Sequence, residues 1–129
     1  MKTVTEKTPK WLPAEAYING KFITGRKKFS IINPATGNAI ASVPDLTVAD
    51  CRNAIDRAHE AWPGWRDAGA TQRSITVRKW YNLIIAHKEE LARIMTMESG
   101  KPLSESLVEV TYGASFVEWF AEEAKRAYG

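Results

Sequence analysis

Residues 112–126 read YGASFVEWFAEEAKR, and the way this stretch distributes its apolar residues decides the fold. Tyr112, Phe116, Trp119 and Phe120 recur at helical spacing,. Extended back to Leu103 and forward to about Tyr128, and wound at about 100° per residue, the segment carries two apolar stripes. Leu107, Val110, Ala114, Val117, Ala121 and Ala124 form one. Val108, Tyr112, Phe116, Trp119 and Phe120 form a second, nearly opposite. Only a narrow strip of Thr111, Ser115, Glu118, Glu122 and Lys125 is consistently polar. A surface helix needs one apolar face, whereas a helix with two is expected to lie between layers. This one therefore asks for a partner on each side.

Three helices are expected before it. Thr47, with Asp50 three residues on, reads as a capping box. Val48, Cys51, Ile55, Ala58 and Trp62 then follow as one apolar face, with Pro63-Gly64 as its stop,. A second helix spans about Thr71 to His87, with Val77, Trp80, Tyr81 and Ile84 inward and Arg73, Arg78 and Lys79 toward solvent. A third covers about Lys88 to Glu98 and uses Leu91, Ile94 and Met95. Ser99-Gly100-Lys101-Pro102 ends it, with Gly100 as a left-handed cap.

The first third of the chain reads as antiparallel hairpins. In Tyr17-Ile18-Asn19-Gly20-Lys21-Phe22-Ile23, Asn-Gly supplies the two positive φ angles of a type I′ turn between β-formers. Gly25-Arg26-Lys27-Lys28 links this pair to a second, in which Phe29–Ile32 and Ala39–Val43 flank the turn Asn33-Pro34-Ala35-Thr36-Gly37.

With 129 residues, 44% hydrophobic and 26% charged, the chain has the size and balance of one globular unit. It contains no apolar run long enough to cross a membrane, and its Lys-bearing first residues lack the apolar region of a secretory leader, so the cytoplasm is the expected compartment. Charge is uneven: residues 1–30 hold seven basic and two acidic side chains, net +5, against eleven and thirteen, net −2, afterwards. Residues 1–14 are expected to be a flexible basic arm; the rest is not basic and carries no aromatic-interleaved basic face, which argues against a nucleic-acid binder. The single Cys51 excludes a disulfide framework, and His59 and His87 lack the spacing of a metal site. Lying within an apolar stripe, Cys51 is expected to be a core residue. Nucleophile-elbow, P-loop and dinucleotide-binding patterns are absent. Glu122 is expected to pair with Arg126 one turn on.

Taken together, Tyr17-Ile18-Asn19-Gly20, Asn33-Pro34-Ala35-Thr36-Gly37, the Ala54–Ala61 helix and Glu98-Ser99-Gly100-Lys101-Pro102 resemble the N-terminal segment of the aldehyde dehydrogenase family. Arg78-Lys79-Trp80 and YGASFVEWFAEEAKRAYG are most similar to its succinate-semialdehyde dehydrogenase branch. The resemblance implies an α/β fold of which this chain holds two small antiparallel hairpins and about four helices. Residues 15–129 would be an incomplete N-terminal part of the NAD(P)-binding domain. It also implies a protein several times longer, a homo-oligomer, that uses NAD or NADP to oxidise a small acidic aldehyde to the acid. The family's nucleophilic Cys, oxyanion Asn, general base and cofactor-binding residues lie beyond this chain, so no catalytic or cofactor-binding residue is assigned and the chain alone is expected to be inactive.

Two partial sites carry over. The helix after Gly-Lys-Pro lines a substrate tunnel in some members, which would place Glu109, Tyr112 and Phe116 near the aldehyde's path. Val108 stands where Gly is expected, putting a bulky side chain on that helix. Some members also hold a monovalent cation, for which the equivalents are the Ile32 carbonyl and the Glu98 carboxylate. The expected partner of the two-striped helix is then the remainder of such a chain. The alternative is a freestanding, non-catalytic helical interaction module, which should have made one stripe polar.

Overall fold

The computed structural model describes residues 15–126; the expected basic arm over residues 1–14 lies outside them. Four strands are followed by four helices. Strands β1 (Ala16–Ile18) and β2 (Lys21–Ile23) form the first hairpin. Its turn is built as the sequence dictates, with Asn19 at φ 51° and Gly20 at φ 75°. Tyr17 and Phe22, opposite each other in the ladder, bring their rings to 5.2 Å.

Strands β3 (Lys27–Ile32) and β4 (Ala39–Asp45) form the second hairpin, in the register Phe29 to Val43 and Ser30 to Ser42. The pairing begins two residues before Phe29, where Lys27 stands opposite Asp45, a favourable cross-strand match of charge. The Lys27-Lys28 part of the expected linker is therefore strand. The two hairpins remain separate two-stranded sheets. Pro44, within β4, has no N–H to offer a further strand. Asn33 organises the connecting turn. Its carbonyl accepts the N–H groups of Thr36 at 3.3 Å and Gly37 at 2.8 Å, and its Oδ1 accepts that of Ala35 at 2.9 Å.

Helix α1 (Val48–Asp67) opens on the expected capping box: the Asp50 N–H donates to Thr47 Oγ1 at 3.3 Å, and the Thr47 N–H to Asp50 Oδ2 at 2.8 Å. These Thr47 contacts also hold the Asp50 carboxyl below its ordinary range. The helix does not stop at Pro63 but runs through it. Proline removes one hydrogen bond and crowds one carbonyl; with none of α1 buried, that carbonyl can turn to water. Arg73 closes the far end, its Nη1 donating to the Arg66 carbonyl at 3.0 Å and also to that of Ala68. The expected core face of α1 is open to solvent, including Val48, Ile55 and Trp62. Cys51, expected in a core, is exposed, because among the described residues no other element covers this face.

Helices α2 (Ala70–Ala86), α3 (Lys88–Ser99) and α4 (Leu103–Glu123) form the packed part of the molecule, with α4 against both of the others. Of the first stripe, Val110, Ala114 and Ala121 are buried and Leu107, Val117 and Ala124 half-buried; Ser106, beside the stripe, is buried with them. The other buried residues of these helices are Ala92 and Met97 of α3 and Ser74 of α2. On α2, Val77, Tyr81 and Ile84 are half-buried as expected, but Trp80 is exposed and Arg78 is half-buried. Trp80 lines the rim of an open groove with Leu91, Ile94, Val110 and Val117, while the Arg78 guanidinium finds acidic partners on α4. Helix α4 ends at Glu123, short of Tyr128, with Lys125 and Arg126 in a closing turn.

Gly100 caps α3 in the left-handed region at φ 75°, its N–H donating to the Thr96 carbonyl at 2.9 Å. A Cβ there would lie 2.9 Å from Pro34 Cγ. The glycine therefore answers two demands at once, a positive φ and the close approach of the second hairpin's turn.

Candidate functional site

The second stripe of α4 is an open apolar surface. Val108 is 69% exposed, Tyr112 63%, Trp119 62% and Phe120 62%. Tyr112 and Phe116, one turn apart, meet edge to face at 4.9 Å and 85°, the arrangement that aromatic quadrupoles favour. An exposed apolar surface of this kind marks a place where another surface belongs.

Of the expected tunnel residues, Tyr112 and Phe116 are thus joined, but they line different hollows. Tyr112 borders a shallow concavity of about 470 Å3 with Leu107, Val108, Thr111 and Ser115. Phe116 borders a groove of about 680 Å3 with Arg78, Trp119, Phe120, Glu122 and Arg126. Glu109 borders neither; Lys101 Nζ donates to its carboxylate. Lys101 is therefore more than part of a helix stop. It ties the entry of α4 to a residue two turns along.

The expected cation pair flanks one junction. Ile32 ends β3 two residues before Pro34, Glu98 lies two residues before Gly100, and Pro34 meets the backbone of Gly100. Glu98 is exposed and also borders the groove that holds Trp80, Leu91 and Val117. Among the described residues, no group of three or more His, Cys, Asp or Glu side chains converges as metal ligands would.

The feature that sequence reasoning missed is Arg78. Its Nη1 donates to Glu118 Oε1 at 2.6 Å and its Nη2 to Glu122 Oε1 at 2.8 Å, joining α2 to α4. The guanidinium also lies 5.3 Å from the centre of the Tyr81 ring, within cation–π range. Glu122 additionally binds Lys125 Nζ at 2.6 Å. Lys125, and then Arg78, hold its carboxyl well below the ordinary value, at about 2; Glu122 and Glu118 in turn raise the Arg78 guanidinium. Arg126, the expected partner of Glu122, binds Glu123 instead at 2.9 Å. Two carboxylates one turn apart on an apolar helix were the only available signal, and it does not name a cation some forty residues away.

Residues 22–129 match the Aldehyde dehydrogenase family. The chain is 48% identical over 117 residues to the glutarate-semialdehyde dehydrogenase of Pseudomonas putida, covering 89% of this chain and 24% of that protein. It is 45% identical over 117 residues to a succinate-semialdehyde dehydrogenase [NADP(+)] of Escherichia coli, with the same 89% and 24% coverage. Its fold superposes on the crystal structure of an aldehyde dehydrogenase from Brucella melitensis biovar abortus with a TM-score of 0.90 and 44% identity, over 99% of this chain and 26% of the other. The chain thus spans about a quarter of the length of the proteins it matches.

Proposed function

The chain belongs to the aldehyde dehydrogenase family, and from that premise we propose that it acts as the N-terminal part of an NAD(P)-dependent enzyme that oxidises a small acidic semialdehyde to the dicarboxylic acid. Residues 15–129 then belong to its NAD(P)-binding domain, in a homo-oligomer of the cytoplasm. The observation that carries this reading is the exposed second stripe of α4, on a chain that matches semialdehyde dehydrogenases along nearly its whole length. A family segment whose remaining partners lie elsewhere in the protein leaves such a face open. A module shaped to stand alone would have polar residues in place of Val108, Tyr112, Trp119 and Phe120.

In this reading Tyr112 and Phe116 border the path of the aldehyde, with Glu109 kept beside them by Lys101. Glu98 and the Ile32 carbonyl serve a monovalent cation at the junction of the hairpin turn and α3. Asp50 occupies the N-terminus of α1, where its charge opposes a phosphate, and the resemblance puts the nucleophile and the cofactor-binding residues beyond this chain. No step of hydride transfer or thiol attack is therefore assigned to these residues, and the chain alone is expected to be inert toward semialdehydes.

The test is a hybrid enzyme in which this chain replaces the matching segment of the E. coli relative. We expect reduction of NAD+ or NADP+ with succinate semialdehyde or glutarate semialdehyde by the hybrid, and none by the isolated chain. A folded hybrid that turns over neither semialdehyde would overturn the reading.

A further inference from the structure

We propose that Arg78 is a positioning residue whose fork sets the rotation and register of α4, and so the placement of Tyr112 and Phe116 on the aldehyde's path. This inference rests on the function proposed above.

It starts from the buried face of α4. Of its fully buried residues Ser106, Ala114 and Ala121 are small, the larger Leu107 and Val117 are only half-buried, and small side chains make shallow ridges. Interlocking of ridges and grooves, which ordinarily fixes how one helix is rotated against another, has little to grip here. Close approach is gained and rotational definition is lost. The structure supplies that definition with polar contacts at two places along the helix. In the first half, the hydroxyls of Thr96 on α3 and Ser106 on α4 lie 2.8 Å apart, with Ser106 fully buried. In the second half stands the Arg78 fork on Glu118 and Glu122.

The fork is suited to this task. Glu118 and Glu122 are four residues apart, or about 6 Å along the helix axis. A planar guanidinium that reaches both opposes two motions. If α4 slid by one turn, only one carboxylate could remain in reach; if it rolled, both would leave. Lysine, a single point of charge on a flexible stem, could not hold two carboxylates in this way. Tyr81 beneath the guanidinium keeps the fork on the α2 side from turning with its partners. Phe116, Trp119 and Phe120 alternate along the chain with the two carboxylates, so a change in the rotation of α4 re-aims the aromatic stripe as one body.

The hybrid enzyme tests this with two aldehydes of different shape, succinate semialdehyde and the bulkier, uncharged benzaldehyde. We expect Arg78→Gln to raise KM for succinate semialdehyde roughly tenfold with kcat within about twofold of the parent. The ratio of kcat/KM between the two aldehydes should shift by a similar factor, and Arg78→Lys should fall between parent and Arg78→Gln. A purely structural role would leave fewer active molecules, lowering kcat equally for both aldehydes while KM and the ratio stay fixed; that result overturns the inference, as does no change at all. If Arg78→Gln yields no folded enzyme, Arg78→Lys decides: KM and the aldehyde ratio both within twofold of the parent would overturn it. A parent hybrid inert toward both succinate semialdehyde and glutarate semialdehyde instead removes the proposed function, and this inference with it.

Discussion

Helices α1 and α4 begin from the same kind of sequence and end in different situations. Each shows apolar residues at helical spacing. In α4 one stripe is buried against α2 and α3 and the opposite one is open. In α1 nothing is buried, and Val48, Ile55, Trp62 and Trp65 all face solvent. Periodicity reports that a face is suited to burial; whether a cover exists depends on which elements the chain brings alongside. For α1, and for the outer stripe of α4, the described residues bring none. In the proposed enzyme both faces find their cover in the rest of the protein, as the matched relatives are about four times as long.

The sharpest test of this contrast uses α4 alone. Val110→Asp puts a carboxylate at a buried position of α4, beside Leu91, Ile94 and Met95, and should lower stability by about 3 kcal/mol. Val108→Asp, two residues away on the open stripe, should change it by no more than about 0.5 kcal/mol and reduce binding of a hydrophobic dye. Urea denaturation of both variants decides, and equal losses would mean that the outer stripe is covered after all.

A smaller effect tests how the hairpins are tied to the helices. Gly100→Ala puts a side chain at φ 75° and against Pro34, and should cost about 2 kcal/mol. The same substitution at Gly113, where an added Cβ meets nothing within 4 Å, should be neutral or stabilising, as Ala is the better helix former. Thermal unfolding of the pair separates the junction from the helix interior.

The latch between α2 and α4 should show itself in acid. The Glu122 carboxyl is held at about 2 against an ordinary 4.5, so the unfolded chain takes up a proton at higher pH than the folded one. The stabilisation is complete above about pH 4.5, erodes as pH falls, and is gone below about pH 2,. Unfolding midpoints followed through this window should drop more steeply for the parent than for Glu122→Gln. Parallel curves would show that Arg78 and Lys125 do not discriminate the charged form.

The least effect is expected on α1. Ile55→Ala, at a residue 66% exposed, should shift stability by no more than about 0.5 kcal/mol, far below the loss usual for a truncated core isoleucine. A loss of core size by the same urea measurement would show α1 to be docked.

Much of the fold was legible locally. Asn19-Gly20, the Thr47 capping box and Gly100 each carry a backbone instruction within a few residues, and all three are executed as written. The division of α4 into two stripes was equally plain, and the structure buries the one made of smaller residues. Where reading failed, the cause lay farther along the chain. Pro63 reads as a stop, but an exposed helix can bend its carbonyls to water and continue. Cys51 sits in an apolar pattern, yet nothing arrives to cover it. Arg78 is drawn in because α4 presents Glu118 and Glu122 to it, and Trp80 stays at the rim of a groove that nothing among the described residues closes.

The sequence by itself determined the elements, their caps and turns, and the presence of one more apolar face than these helices can use, since those follow from φ preferences and periodicity within a turn or two. Only the tertiary structure decided which stripe of α4 is buried, that Arg78 rather than Arg126 reaches Glu122, and that the turn at Pro34 seats on Gly100. Each of these is a contact between residues tens of positions apart, and its energy depends on distance in space, which local sequence does not record.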